Sequence, residues 1–218
     1  VVKVEGEIYG RALGNVVREA QEKLENLEVP AGFSINFGGE FQEQQKTFKS
    51  LGFALILGII LIFMIMASQF ESLLDPFVVM FAVPFSLIGV VWALLLSGNT
   101  LSIISFLGLI MIVGIGVETG IVLISFIKQL REEGVELHEA VVKAGKLRLR
   151  AVCMTTLTTI FGLVPMALSK GEGSEIWVPL GFTIIGGLTV SFLLTLFFIP
   201  ILYTIFEEKI LPRLKNKD

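Results

Sequence analysis

Glu118 is the residue of this sequence best placed to do chemistry: it is the only charge between Pro76 and Ile127. An ionised side chain at the centre of a membrane helix costs about 2.5–3.5 kcal/mol to insert, so such groups usually mark a relay, an ion path or a substrate site. A carboxylate there can carry a proton or hold a cation; the plainer alternative is a buried structural pair. In G-I-G-V-E-T-G-I-V-L-I-S-F, helical spacing brings Gly114, Glu118 and Ser125 to one face. Gly116 and Gly120 form a G-x-x-x-G pair, which lets a neighbouring backbone approach closely. Tight interior packing is the ordinary role of the glycines between Gly108 and Gly120.

Depth suggests partners for this carboxylate. Glu118 precedes Lys128 by ten residues, which at 1.5 Å per residue is about 15 Å from that end of the helix. A following span that starts near Arg150 and runs back reaches the same level around Thr159. It carries Thr155, Thr156, Thr158 and Thr159, of which Thr155 and Thr159 share a face with Gly162. These hydroxyls either bond their own i−4 carbonyls or form a polar strip facing Glu118, able to hold water or pass a proton. Arg148 and Arg150 open the same helix, as cytoplasmic anchors or as a gating pair for interior carboxylates.

The elements that must position these groups follow from composition. Hydrophobic residues make up 54% of the 218 and the mean hydropathy is +0.82. Each of the apolar blocks approaches or exceeds the roughly 20 residues a spanning helix needs. The expected architecture is a mainly α, polytopic bundle of five spans over 51–70, 76–98, 101–128, 151–169 and 176–206. A membrane domain of 51–207 then contains a cytoplasmic loop at 129–150 and leaves a tail at 208–218. Lys128, Arg131, Lys143, Lys146, Arg148 and Arg150 between the third and fourth spans, and Lys209, Arg213, Lys215 and Lys217 in the tail, place both segments in the cytoplasm. Residues 1–50 are then extracytoplasmic.

The first fifty residues differ in kind. Val2, Val4 and Ile8 alternate with polar residues as a strand does, and Phe33, Ile35 and Phe37 repeat the pattern. Between them Leu13, Val16, Val17, Ala20, Leu24 and Leu27 recur at helical spacing. The reading is a small β-α-β piece over 1–40, the end of a larger α+β domain, since two strands bury too little to stand alone. The polar run from Phe41 to Ser50 continues as a helical joint into the first span, or lies as an amphipathic helix at the interface. The start at Val1, with no basic n-region and no cleavage site, points to a portion of a longer protein.

Several chemistries are excluded. His138 and Glu139 begin an H-E-x-x-H pattern, but Val142 occupies the second histidine position, so no zincin site exists. There is no glycine-rich phosphate loop and no nucleophile with a histidine at hand, which argues against an enzyme. Cys153 is a lone packed thiol. Met64, Met66, Met80, Met111, Met154 and Met166 could be soft metal ligands, but scattered singly through apolar helices they read as gap fillers.

Four stretches carry a family likeness: G-F-A-L-I-L-G-I-I-L-I-F-M-I-M-A-S-Q-F-E-S-L-L-D-P, G-L-I-M-I-V-G-I-G-V-E-T-G-I-V-L-I-S-F-I-K-Q-L-R-E-E-G, R-L-R-A-V-C-M-T-T-L-T-T-I-F-G-L-V-P-M-A-L and P-L-G-F-T-I-I-G-G-L-T-V-S-F-L-L-T-L-F-F-I-P-I-L-Y. Together, in order, they resemble the resistance-nodulation-division efflux permeases. The resemblance implies a secondary transporter, with residues 1 to about 40 ending a porter subdomain and the five spans closing a set of twelve. It implies proton antiport without a cofactor, a homotrimer in the bacterial inner membrane, and a periplasmic adaptor with an outer-membrane channel in Gram-negative cells; no nucleic-acid partner is expected. By the same resemblance Arg148 and Thr155 fall at the relay arginine and threonine, while Glu118 falls where the family places lysine or asparagine. That change of charge leaves a third proton carrier or a cation site open. Ala151 stands where R-L-R-P is usual. Export of amphiphilic organic compounds is the expected function, heavy-metal cations the alternative. A protein-export subunit would show an Asp-Ala-Asn-like element where Val117, Glu118 and Thr119 stand, and a sterol-sensing module rests on topology alone.

Overall fold

The computed structural model describes residues 4, 6, 13–25, 35, 37–171 and 173–210. They divide into two compact units, 1–53 and 54–218. In the first, helix α1 (Leu13–Glu25) buries Val17 and half-buries Val16, Ala20 and Leu24. An i,i+4 pair of Glu19 and Lys23 at 2.9 Å braces its outer side. Among the described residues there is no strand. Most of both strands of the expected β-α-β piece lies outside those residues, so only its helix is seen.

Helix α2 (Glu40–Phe70) runs without a break from the polar segment into the first apolar block. The second span is two helices, α3 (Leu74–Met80) and α4 (Ala82–Ser97). The break falls at Phe81 because Pro84 has no N–H for the Met80 carbonyl and its ring crowds that oxygen; the Phe81 N–H turns instead to the Val78 and Val79 carbonyls. Gly98, at φ +68, ends α4 in the left-handed conformation. Ser102 and Ser105 cap helix α5 (Ile103–Glu132) reciprocally.

Helix α6 (Leu137–Ala167) begins after only four residues, 133–136. Much of the loop expected at 129–150 is therefore helix. Its charged residues fall among Leu137, Ala140 and Ala144, which are buried at helical spacing, so tertiary packing carries the helix through a stretch that hydropathy reads as a connection. Helix α7 (Ser174–Ile205) continues into a π-helical turn, Phe206–Ile210. Among the described residues, five helical segments are long and apolar enough to cross a membrane.

Helix α7 is the hub of the second unit and packs on α4, α5 and α6. Small residues permit the approach. A Cβ added at Gly187 would lie 2.8 Å from Ile112, and one at Gly181 2.9 Å from Ala167. Trp92, in the last two turns of α4, and Trp177, in the first turn of α7, are both exposed.

Candidate intramembrane coupling site

Helix α5 has two unlike faces. Leu109, Ile112, Val113, Gly116, Val117, Gly120, Leu123, Ile124 and Ile127 recur every three or four residues and are buried. The opposite face carries Met111, Gly114, Glu118 and Ser125, all exposed on this chain. The glycines divide accordingly. A Cβ on Gly120 would meet Ile199 Cδ1 at 2.7 Å and Val79 Cγ1 at 2.9 Å, and one on Gly116 would meet Ser191 Oγ at 3.0 Å. Gly114 has nothing within 4 Å. Close packing thus explains Gly116 and Gly120, whereas Gly114 belongs to the outward face with Glu118.

Among the described residues no hydrogen bond or ion pair engages the Glu118 carboxylate. Ser125, two turns along, donates to the Ile121 carbonyl at 2.8 Å. Two threonines of α6 satisfy their hydroxyl protons locally: Thr155 donates to Val152 O at 3.0 Å and Ala151 O at 3.3 Å, and Thr159 to Thr155 O at 2.9 Å. Neither is joined to Glu118, although each hydroxyl keeps a lone pair that could accept a proton donor. Thr156 is buried. Arg148 is placed by packing: its guanidinium lies 4.7 Å from the centre of the Phe126 ring, a cation–π contact tying the start of α6 to α5.

One feature of the site escaped the sequence reading. Lys128, taken there as a cytoplasmic edge charge, donates from Nζ to Asp75 Oδ2 at 2.9 Å and to the Phe70 carbonyl at 3.1 Å. Asp75 is only 8% exposed. Complementary charges at the same membrane edge, one ending a span and one opening another, were the available signal. Beside this pair lies a recess of about 360 Å³ lined by Gln69, Phe70, Glu71, Ser125, Lys128 and Glu132. His138, whose motif led nowhere, pairs through Nε2 with Glu208 at 3.0 Å and links α6 to the π-helical turn.

Comparison with known proteins identifies the family. The profile of the AcrB/AcrD/AcrF family matches residues 1–207. The cobalt-zinc-cadmium resistance protein CzcA of Cupriavidus metallidurans is 35% identical over 209 residues, which cover 95% of this chain and 20% of CzcA. The swarming motility protein SwrC of Bacillus subtilis is 36% identical, with 95% and 21% covered. The multidrug resistance protein MdtC of Proteus mirabilis is 33% identical, with 91% and 19% covered. A crystal structure of a heavy metal efflux pump superposes with a TM-score of 0.82 at 33% identity, over 93% of this chain and 20% of the pump. The chain spans about a fifth of the length of the relatives it matches. With the family profile matching residues 1–207 and relatives a third identical over nearly its whole length, the chain belongs to the AcrB/AcrD/AcrF family of resistance-nodulation-division efflux permeases.

Proposed function

We propose that this chain forms five spans of a longer, proton-driven efflux permease in which Glu118 carries the coupling proton. The observation behind the reading is the setting of that carboxylate. It stands near the middle of an apolar helix, faces away from the bundle and has no bonding partner among the described residues. A partner is therefore to be sought on spans beyond this chain, in a protein about five times as long. Thr155, Thr159 and Arg148 complete the relay, the hydroxyls as acceptors and the guanidinium as a fixed charge held on Phe126. Lysines and arginines between α5 and α6 and after α7 favour a cytoplasmic carboxyl terminus, with residues 1–50 outside. The working unit is a homotrimer, joined in Gram-negative cells to an adaptor and an outer-membrane channel.

For the cargo, amphiphilic organic compounds are the reading supported by the multidrug relative and by methionines spread singly over several helices. A heavy-metal cation is the second reading, favoured by the CzcA relative and the heavy metal pump. Cells that depend on the permease test both at once. Glu118→Gln is expected to abolish resistance to organic toxicants while the protein inserts and assembles at normal levels. Unaltered resistance to every compound would rule out the proton role. Intact organic resistance with loss of zinc, cobalt and cadmium resistance would transfer the assignment to cations.

A further inference from the structure

Within the second unit, Leu55, Ile59 and Ile62 of helix α2 pack partly buried against the core, and its last turns are the most deeply buried. Met66 and Phe70 are its buried residues, while Phe53, Ile56, Met64 and Ile65 are widely exposed. At that end the chain reverses through Glu71, a non-glycine residue at φ +50, and the Phe70 carbonyl faces the Lys128 ammonium. A cation at the carboxyl end of a helix complements the partial negative charge of the terminal carbonyls. The same ammonium lies 5.4 Å from the centre of the Phe70 ring and pairs with Asp75 in the first turn of α3.

One side chain of α5 thus holds the end of α2 and the start of α3. If the last turns of α5 shift, either α2 and α3 follow or the ammonium leaves Asp75 behind as a buried, unpaired carboxylate, which is strongly unfavourable. Glu118 lies ten residues earlier on the same helix, about 15 Å away. Ser125, on the Glu118 face, and Lys128 both line the recess beside the clasp.

We infer that Lys128 is a positioning residue through which the protonation state of Glu118, expressed as a displacement of α5, reaches α2 and α3, with Asp75 keeping the ammonium in place. The inference rests on the reading of Glu118 as the proton carrier. It concerns transmission rather than the proton itself.

The test places spin labels at Ser68→Cys on α2 and Val142→Cys on α6, with Cys153→Ser, in the purified longer permease, and measures their separation at pH 5.5 and 8.5. The unaltered clasp is expected to give a pH-dependent change of about 2 Å, the scale of helix shifts in switching proteins. Glu118→Gln and Lys128→Met should each abolish that change, and Lys128→Arg should keep it. Asp75→Asn, which removes the charge that keeps the ammonium in place against the Phe70 carbonyl, should abolish it too and decides the matter if Lys128→Met does not assemble. A change that persists in Lys128→Met or Asp75→Asn but vanishes in Glu118→Gln overturns the clasp and leaves the proton reading intact. One that persists in Glu118→Gln but vanishes in Lys128→Met removes the proton reading and retains the clasp for another group. No change in the unaltered protein overturns both.

Discussion

At the scale of single residues, the threonine hydroxyls of α6 that bond within this chain contrast with the Glu118 carboxylate, which has no bonding partner among the described residues. Thr155 and Thr159 bond carbonyls of their own helix, so replacing either by valine removes a local bond worth about 0.5–1.5 kcal/mol. Purified Thr155→Val and Thr159→Val proteins are expected to melt close to the parent while exporting more slowly under a pH gradient. Export at the parental rate would confine both hydroxyls to the helix backbone. That Glu118 shares a face with Gly114 and Ser125 was legible in the sequence, because a spacing of four and seven residues needs no knowledge of the fold, whereas the exposure of that face on this chain was not. Asp75 and Lys128 were not, since 53 residues separate them and each alone reads as an ordinary charge at a membrane edge. Only the reversal at Glu71, which brings the end of α2 and the start of α3 to α5, makes them a pair.

At the scale of elements, small residues set how closely helices approach. Gly120 sits against Ile199 and Val79, and overpacking of such a contact costs about 1–3 kcal/mol. Gly145, in the helical part of α6, has nothing within 4 Å of an added Cβ, and alanine there should gain about 0.5–1 kcal/mol of helix stability. Thermal unfolding of the purified permease checks the contrast: Gly120→Leu should lower the melting temperature and Gly145→Ala raise it. Equal effects would mean that α5 and α7 do not meet as described. The G-x-x-x-G spacing picked out Gly116 and Gly120, which are the packed pair, but the wider expectation of packed glycines between Gly108 and Gly120 fails at Gly114, where an added Cβ has no neighbour within 4 Å. The start of α6 was hidden too. Its Lys143, Lys146 and Arg148 depress hydropathy, while the buried face is narrow and built of Leu137, Ala140 and Ala144.

At the scale of the whole molecule, the apolar blocks found from length and hydropathy correspond, among the described residues, to five helical segments long and apolar enough to cross a membrane. That agreement reflects a strong constraint, since a spanning backbone must satisfy its own polar groups and helices do so within one segment. The proposed orientation can be read directly. With Cys153 replaced, Asn99→Cys should react with a membrane-impermeant thiol reagent from outside the cell, and Glu133→Cys only in inverted vesicles; the reverse pattern would invert the topology. Loop charge carried that expectation, whereas cargo is not legible in these spans, whose relatives include both metal and multidrug pumps. The central claim is that Glu118 moves the coupling proton. Its most direct test is cargo-dependent proton flux in vesicles containing the longer permease, followed with an internal pH dye while ethidium or zinc is supplied. The account predicts that Glu118→Gln abolishes the flux with either cargo while the trimer remains intact. Proton flux at the parental rate in that variant would contradict it.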